Sequence, residues 1–357
     1  MKIGIITYYN VVNYGAVLLA YAMKKTLNEF GHEVVFLKFN RKKIETKNQK
    51  DSLYMKLRRL SPNARKAAKL EKKKNEEFDI FRENYLEEGD YYNIPQELDL
   101  IIVGSDQIFD CKYEFNEYQF AIGAACENVI SYAPSFGEFK VEDISKYENK
   151  KKLEDALCKF KKLCARDCNT EEVIKLLTGK RVPRVLDPVL LYGFEKEKTE
   201  WNERLVKEKY LIVYAWGGTT NSEEFKENVS FFAKKNGLKT VSIGDWRPWC
   251  DINYASATPI EFFELYRHCD MVITNMFHGT CFSIINEKPF YSVVMPHNEN
   301  KLRDLLQFLK LEKQIIRKID TLKEVKIPDI DYIKVNEKIT REKDTSMEYF
   351  RQAVASL

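Results

Sequence analysis

Short apolar runs alternate with helical patterns along most of the chain, and this alternation limits the fold more than any other feature of the sequence. The first unit comprises a strand at Lys2–Tyr9, a helix pattern and a second strand at Glu33–Phe39. A second series of such units begins at Tyr210. Strand–helix–strand units predict parallel sheets covered by helices on both faces. We therefore predict an α/β protein with two doubly wound, Rossmann-like halves.

The length of 357 residues is sufficient for two domains, each with its own core. The opening unit lacks the G-x-G-x-x-G fingerprint, so no dinucleotide cofactor is expected. The stretch 195–209 is polar and highly charged with little apolar periodicity, which is typical of a linker. The predicted organisation is an N-terminal domain at 1–194 with a basic helical insertion at 41–85, a linker at 195–209, a C-terminal domain at 210–320, and a C-terminal segment with a terminal helix at 321–357.

The basic insertion carries most of the charge imbalance of the chain. From Arg41 to Phe78 there are fourteen Lys or Arg against five Asp or Glu, whereas the whole chain has a net charge of only +4. A basic amphipathic helix can bind an anionic membrane surface, and it can equally be an ordinary solvated face. From this charge we predict peripheral contact with an anionic membrane surface, the inner face of a membrane, and no nucleic-acid partner.

Composition and cysteine usage indicate a cytoplasmic protein. No apolar run approaches the roughly 18 residues of a membrane span, and Met1 leads directly into a strand pattern without a cleavage site. The eight cysteines are interpreted as reduced thiols, because the chain is long and shows no export signal. Cys164 and Cys168 have no second pair or histidine at zinc-binding spacing, so no metal site is predicted.

The stretch Asp270–Pro289 predicts a candidate active-site turn. A compact apolar run at Met271–Thr274 is typical of a buried strand, and a helix pattern with Thr280 as its N-cap follows it. This places His278 at a helix N-terminus, where unpaired N–H groups bind anions, and Gly279 beside it would allow close approach of a ligand. A histidine there can exchange protons near neutral pH. The alternative is an ordinary capped helix with a polar loop.

A second strand end carries polar residues of the same kind. The buried-strand pattern Leu98–Gly104 is followed by Ser105, Asp106 and Gln107. Open α/β sheets bind ligands outside the carboxyl ends of their strands, so these side chains are candidates for ligand contact. The alternative is that Asp106 caps a helix.

Four sequence blocks together resemble the polysaccharide pyruvyl transferase family. They are NVVNYGAVLLAYAMKKTLNEFGHEV, VGSDQIFD, ARDCNTEEVIKLLTG with DPVLL after it, and CDMVITNMFHGTCFSIINEKPF, and the match extends in order from Gly4 to about Leu311. The resemblance implies a GT-B-like fold of two Rossmann-like domains facing a central cleft. It also implies transfer of an enolpyruvyl unit from phosphoenolpyruvate to two hydroxyls of a sugar, giving a pyruvate ketal and phosphate. The sugar would belong to a bacterial polysaccharide, such as a capsule or exopolysaccharide, or to a lipid-linked glycan precursor.

The resemblance also assigns roles to residues, with no cofactor and no metal. It implies that Arg166 and His278 are catalytic, with His278 as the acid–base group. His297 follows another predicted strand end and is a weaker candidate from its position alone. The donor phosphoenolpyruvate would bind to Arg166, His278, Gly279, Thr280 and Lys301. The acceptor would bind to the N-terminal half through Asn13, Tyr14, Asp106 and Gln107.

The chain departs from the family pattern at a few positions, and two other functions stay open. Met276 stands where the family has an arginine or a serine, and Phe109 and Asp110 stand where it often has Val-Trp-Asn after Gly-Ser-Asp-Gln. One alternative is a GT-B glycosyltransferase that uses a nucleotide sugar. The other is a non-catalytic protein that binds carbohydrate or assists assembly.

Overall fold

Two parallel sheets organise the chain in the computed structural model, which describes residues 1–38, 62–90, 98–124, 126–217, 220, 222–295 and 299–355. The strands of the first sheet are β1 (Lys2–Ile6), β2 (Glu33–Lys38), β3 (Glu88–Asp90), β4 (Leu100–Val103) and β5 (Val129–Ser131). Their order is β3-β2-β1-β4-β5, and all the strand pairs are parallel.

The second sheet has six parallel strands. They are β6 (Tyr210–Tyr214), β7 (Lys239–Ile243), β8 (Ile252–Tyr254), β9 (Met271–Thr274), β10 (Phe290–Val293) and β11 (Ile315–Ile316). The order β11-β10-β9-β6-β7-β8 is that of a complete Rossmann domain, and the first sheet has five of the six strands in the same order. The prediction of two Rossmann-like domains in a GT-B-like fold is confirmed.

The helices cover the faces of the sheets and connect their strands. They are α1 (Tyr14–Glu29), α2 (Pro62–Tyr85), α3 (Lys150–Cys158), α4 (Cys168–Thr178), α5 (Pro188–Tyr192), α6 (Glu197–Glu200), α7 (Glu223–Lys235), α8 (Pro259–His268), α9 (Phe277–Ile285), α10 (Glu299–Phe308) and α11 (Tyr332–Ala355). No helix among these described residues is long and apolar enough to cross a membrane.

Each sheet has one place where the strand order reverses, and ligands of doubly wound folds bind there. The reversal lies between β1 and β4 in the first sheet and between β6 and β9 in the second. Asp106 follows β4 and His278 follows β9. The fold therefore brings the two predicted strand-end clusters to the binding edges of their sheets.

The first turn of α1 packs directly against the second domain. The ring of Tyr14 stacks on Phe262 of α8 with centroids 4.6 Å apart, and its hydroxyl donates to the carbonyl of Ala257 at 2.8 Å. Both rings are buried. Because aromatic burial of this size is a large favourable term, the contact holds the two domains together at the cleft.

The C-terminal helix α11 returns to the first domain. The hydroxyl of Tyr349 donates to the carbonyl of Ser131 at 2.7 Å, and Phe350 stacks on Tyr132 with centroids 4.1 Å apart. The helix begins at Tyr332, whereas the sequence pattern within the C-terminal segment predicts a terminal helix only from Arg341 to Ala355. The C-terminal helix therefore leads across the cleft from the second domain back to the first.

Two local predictions from the sequence pattern are wrong at their ends. The charged stretch Ile144–Lys162 predicts one helix, but only α3 is α-helical, because the N–H of Lys161 bonds the carbonyl of Val129 and the chain runs beside β5 from there. The pattern also predicts Asn169 or Thr170 as the cap of α4. The cap is instead Asp167, whose Oδ1 accepts from the N–H of Thr170 at 2.8 Å.

Part of the basic insertion lies outside the described residues, namely 41–61. The described part is α2, which begins at Pro62, and its side chains reach the second domain. Lys74 Nζ donates to the carbonyl of Gly244 at 2.8 Å, and Lys66 Nζ lies 3.7 Å from the ring centroid of Trp246. Membrane contact by this insertion stays a prediction.

Candidate functional site

Arg166 lies at the centre of a buried cluster of charges. It precedes α4 in an extended segment that bonds Pro134. Its Nη1 donates to Asp187 Oδ2 at 2.9 Å, and its Nη2 lies 3.5 Å from Asp106 Oδ1. The side chains of Arg166 and Asp187 are only 3% and 1% exposed. A guanidinium held between two carboxylates is fixed in position and charge.

The helix that carries His278 begins earlier than predicted. Its first residue is Phe277, and Met276 occupies the N-cap without a side-chain hydrogen bond. Thr280 is therefore inside the helix and not its cap. Its N–H bonds the carbonyl of Met276, and its hydroxyl contacts Ser292 Oγ at 2.7 Å. Because methionine cannot cap, the first-turn N–H groups at 277–279 have no capping side chain, which favours an anion there.

Gly279 is required by packing. A Cβ at this position would collide with Thr274 Oγ1 of β9 and would lie 2.9 Å from the ring of Tyr214 in β6. The glycine lets the start of α9 lie directly on the sheet. Its contribution to donor binding stays a prediction.

Asp187 joins the two domains through a single oxygen. The Oδ2 atom that accepts from Arg166 also lies 3.4 Å from Nε2 of His278. This separation is long for a hydrogen bond but short enough for a strong electrostatic contact. The other oxygen accepts from the N–H of Val189 at 3.0 Å and caps α5. Sequence reasoning missed this residue as a site residue, because the pattern of its stretch, Val185–Leu191, indicates only a core segment.

Both carboxylates of the cluster remain ionised despite their burial. Burial alone would raise the pKa of Asp187, but His278 and Arg166 outweigh it and hold that pKa below the ordinary value. The pKa of Asp106 is lowered in the same way, against burial, by His278, Arg166 and Lys301. The two aspartates therefore act as fixed negative charges at neutral pH.

Lys301 adds a second cation near the start of α10. Burial lowers its pKa, and the nearby carboxylate of Asp106 opposes that shift. With Arg166, Asp187 and Phe277 it lines a cavity of about 80 Å³ between the domains. The Arg166 guanidinium carbon lies 4.4 Å from the ring centroid of Phe277. The cavity combines cations, a helix N-terminus and an aromatic wall.

The first turn of α1 lies against the imidazole. A Cβ placed on Gly15 would lie 2.5 Å from both Cβ and Nδ1 of His278. The N-termini of α1 and α9 therefore meet at the histidine, and both have positive partial charge. Sequence reasoning missed Gly15, because nothing in its own neighbourhood identifies the residue that faces it.

Replacing Gly15 with alanine should destabilise the closed interface. The added methyl group overpacks a site that has no room, at a cost of about 1–3 kcal/mol, and it displaces His278. Urea unfolding should give a lower free energy of unfolding, and turnover should fall. Unchanged stability and unchanged turnover would contradict the close contact between α1 and α9.

The motifs can now be compared with known families. The sequence model described as polysaccharide pyruvyl transferase matches residues 13–297. The chain belongs to the polysaccharide pyruvyl transferase family. This confirms the resemblance found in the motifs, and the protein is a transferase. No curated protein matches the chain in sequence.

Several solved structures are similar in fold. UDP-GlcNAc 2-epimerase from Neisseria meningitidis is 9% identical, with 97% of this chain and 94% of that chain covered at a TM-score of 0.48. The UDP-GlcNAc 2-epimerase from Methanocaldococcus jannaschii is 10% identical, with 95% of this chain and 92% of that chain covered at a TM-score of 0.46. The glycosyltransferase SnogD from Streptomyces nogalater is 12% identical, with 99% of both chains covered at 0.43. These are likenesses of fold only.

Within this transferase, the predicted acceptor residues lie at different places. Asp106 belongs to the Arg166 cluster. Asn13 caps α1, with Oδ1 accepting from the N–H of Ala16 at 3.2 Å, and it lines a cavity of about 440 Å³ between the domains. Tyr14 lines the same cavity, but its ring is mostly buried and one face is stacked on Phe262. Gln107 lines a separate polar pocket of about 370 Å³.

The remaining candidates are placed as follows. His297 lies outside the described residues. His268 precedes β9 at the amino edge of the second sheet, with Nε2 3.1 Å from the carbonyl oxygen of Asn202, and His32 precedes β2 at the amino edge of the first sheet. Within the described ranges, no three His, Cys, Asp or Glu side chains are grouped to hold a metal ion. All eight cysteines are unpaired.

Proposed function

We propose that this family member transfers the enolpyruvyl group of phosphoenolpyruvate to two hydroxyls of a sugar in a polysaccharide or lipid-linked glycan precursor. The observation that carries the proposal is the meeting of Arg166, Lys301 and His278 at the domain interface beside a helix N-terminus. Phosphoenolpyruvate carries a phosphate and a carboxylate, and such a dianionic ligand requires several donors that converge. No cofactor enters the reaction.

The donor anion would compete with Asp106 for the cluster. The contact of Asp106 with Arg166 is the longer one, at 3.5 Å, and its side chain is 20% exposed. Asp187 is held tightly and is nearly inaccessible. An incoming carboxylate or phosphate would therefore displace Asp106 from Arg166 and leave the Asp187 pair intact. Lys301 and the N–H groups at the start of α9 would take the second anionic group.

The reaction balances without a redox partner. A proton adds to the methylene carbon of the donor, and the neighbouring carbon becomes electrophilic. One sugar hydroxyl adds there, the carbon–oxygen bond to phosphate breaks, and the second hydroxyl closes the ketal. The sugar loses two hydroxyl protons. They balance the proton added to form the methyl group and the proton taken up by the released phosphate.

His278 is the group best placed to move these protons. An imidazole can donate and accept near neutral pH, and general acid–base catalysis by a positioned histidine typically contributes 10²–10⁴-fold. Asp187 would orient the ring through Nε2, which leaves Nδ1 on the side of α1. Asp106, once displaced from Arg166, would accept a hydrogen bond from a sugar hydroxyl.

The affinity for phosphoenolpyruvate should fall as the pH rises above neutrality. Because burial lowers the pKa of Lys301 from 10.5, this lysine loses its proton at a lower pH than a free lysine, and its attraction for the donor is lost with it. Calorimetric titration with phosphoenolpyruvate at several pH values from neutral to alkaline measures this loss of affinity.

Lys301→Arg is the matched control for that pH dependence. Arginine stays protonated, so in Lys301→Arg the loss of affinity for phosphoenolpyruvate at alkaline pH should move to higher pH. Lys301→Gln should bind phosphoenolpyruvate weakly at every pH. If the affinity for phosphoenolpyruvate varies with pH in the same way in the wild type and in Lys301→Arg, Lys301 does not bind the donor.

The proposal as a whole is tested by incubating the protein with phosphoenolpyruvate and candidate lipid-linked glycans. Sugar-dependent release of phosphate together with a ketal product is expected. Turnover of a nucleotide sugar in the absence of phosphoenolpyruvate would favour the glycosyltransferase alternative.

A further inference from the structure

We propose that the cavity of about 440 Å³ between α2 and the carboxyl ends of β6 and β7 holds an uncharged pyranose ring of the acceptor against Trp216. This inference rests on the proposed function, because it locates the acceptor of that reaction. It assigns acceptor recognition to the second domain and α2, whereas the sequence predicted the N-terminal half.

The cavity lies beside the reacting groups. Its inner wall includes Asn13, Tyr14 and Met276. Met276 is two residues before His278, and Tyr14 precedes the Gly15 that touches the imidazole. A ring in this cavity could therefore direct hydroxyls toward His278 while the donor occupies the smaller cavity on the Phe277 side. Its volume is within the ordinary range for small-ligand sites.

Trp216 presents an exposed aromatic surface on a fixed backbone. Its side chain is 72% exposed. Its backbone is held on both sides by Asn275, since the N–H of Trp216 donates to Oδ1 at 2.9 Å and Nδ2 donates to its carbonyl at 2.6 Å. Only the two side-chain torsions of this residue would be ordered on binding, and its indole can cover the C–H face of a pyranose.

The polar lining fits hydroxyl groups better than anions. Glu71 and Asp245 contribute carboxylates, and Lys74 is already occupied by the carbonyl of Gly244. Carboxylates that accept from hydroxyls suit a neutral sugar, whereas they would repel a diphosphate.

The wall formed by α2 makes the cavity depend on both domains. Lys66 lies over the ring of Trp246, and Lys74 reaches Gly244, so this helix bridges the opening from the first domain to the second. The pocket around Gln107 differs, because all of its lining residues belong to the first domain. The cavity of about 440 Å³ brings the exposed indole of Trp216 next to the residues that flank His278.

Ligand-detected NMR with simple glycosides tests the inference without requiring the natural acceptor. The probes are the methyl pyranosides of glucose, galactose and mannose and their N-acetylamino counterparts, added without phosphoenolpyruvate. At least one should bind saturably, about tenfold more weakly to Trp216→Ala, and nearly normally to Trp216→Phe, which keeps a stacking ring. Thermal unfolding should be unchanged in both variants, since the side chain is exposed.

Tyr113→Ala is the matched control, because Tyr113 is 84% exposed and lines the Gln107 pocket. Its affinity for the glycosides should equal that of the wild type. The inference is overturned if no glycoside binds, if Trp216→Ala binds normally, if Tyr113→Ala alone loses binding, or if UDP displaces the glycosides. Binding that depends on Trp216 without ketal formation would contradict only the proposed reaction. If the protein forms the ketal but Trp216→Ala binds the glycosides as well as the wild type, only the acceptor site at Trp216 is contradicted.

Discussion

Replacing His278 with glutamine should lower kcat by roughly 10²- to 10⁴-fold while the affinity for phosphoenolpyruvate changes little. Glutamine keeps a polar side chain of similar length but cannot exchange protons near neutral pH. The donor would still meet Arg166, Lys301 and the first turn of α9, which are independent of the imidazole. Single-turnover phosphate release and calorimetric titration with phosphoenolpyruvate measure the two quantities separately.

The control for this substitution is His32→Gln. His32 precedes β2 at the amino edge of the first sheet, opposite to the carboxyl edge that carries the cluster. The kcat of His32→Gln should equal that of the wild type. Near wild-type turnover by His278→Gln would exclude the imidazole from the chemical step.

Replacing Arg166 with methionine should destabilise the fold and abolish transfer. The guanidinium is buried between Asp187 and Asp106, and its removal leaves Asp187 without its closest partner. Breaking a buried ion pair in this way costs about 3–5 kcal/mol. Urea unfolding measures the loss. Arg351→Met is the control, because its pair with Glu348 is exposed and such pairs contribute about 0–1 kcal/mol.

The pH dependence of that loss identifies its cause. Because the folded pKa of Asp187 is lowered, its contribution to stability is present above the ordinary value of 3.8 and is lost as the pH falls through the lower folded value. In Arg166→Met the pKa of Asp187 should rise, so the variant and the wild type should converge toward acid pH. Adding Asp187→Asn should recover part of the loss at neutral pH. A pH-independent difference would mean that packing, and not charge, is responsible.

Apolar periodicity was sufficient to predict most of the fold. Runs such as Met271–Thr274 are buried on both faces, so their composition identifies them. The edge strands β3, β8 and β11 were not predicted, because two or three residues such as Glu88–Asp90 show no β pattern and depend on their neighbours for pairing. The start of α9 was misplaced for a similar reason. Thr280 fits the local rule for a cap, but packing on β9 selected Met276.

The candidate site was predictable where a residue is identified by its own segment. His278 is indicated by its strand–turn–helix pattern, and Arg166 and Lys301 by the resemblance to the family. The topology brings the three together. Asp187 and Gly15 could not be found in this way, because their importance lies in the partner across the domain interface. Tyr14 shows the reverse case. Its side chain suits sugar stacking, yet the interface buries its ring.

The central claim is tested most directly by mass spectrometry and NMR of the product formed in D₂O from phosphoenolpyruvate and lipid-linked glycans. We expect a glycan that has gained one pyruvate with loss of one water, with a ketal methyl group that carries one deuterium, because the methylene carbon is protonated from solvent-exchanged groups. His278→Gln should give almost none of it. A product that retains the carbon–carbon double bond, or phosphate release without any change in the glycan, would contradict the account.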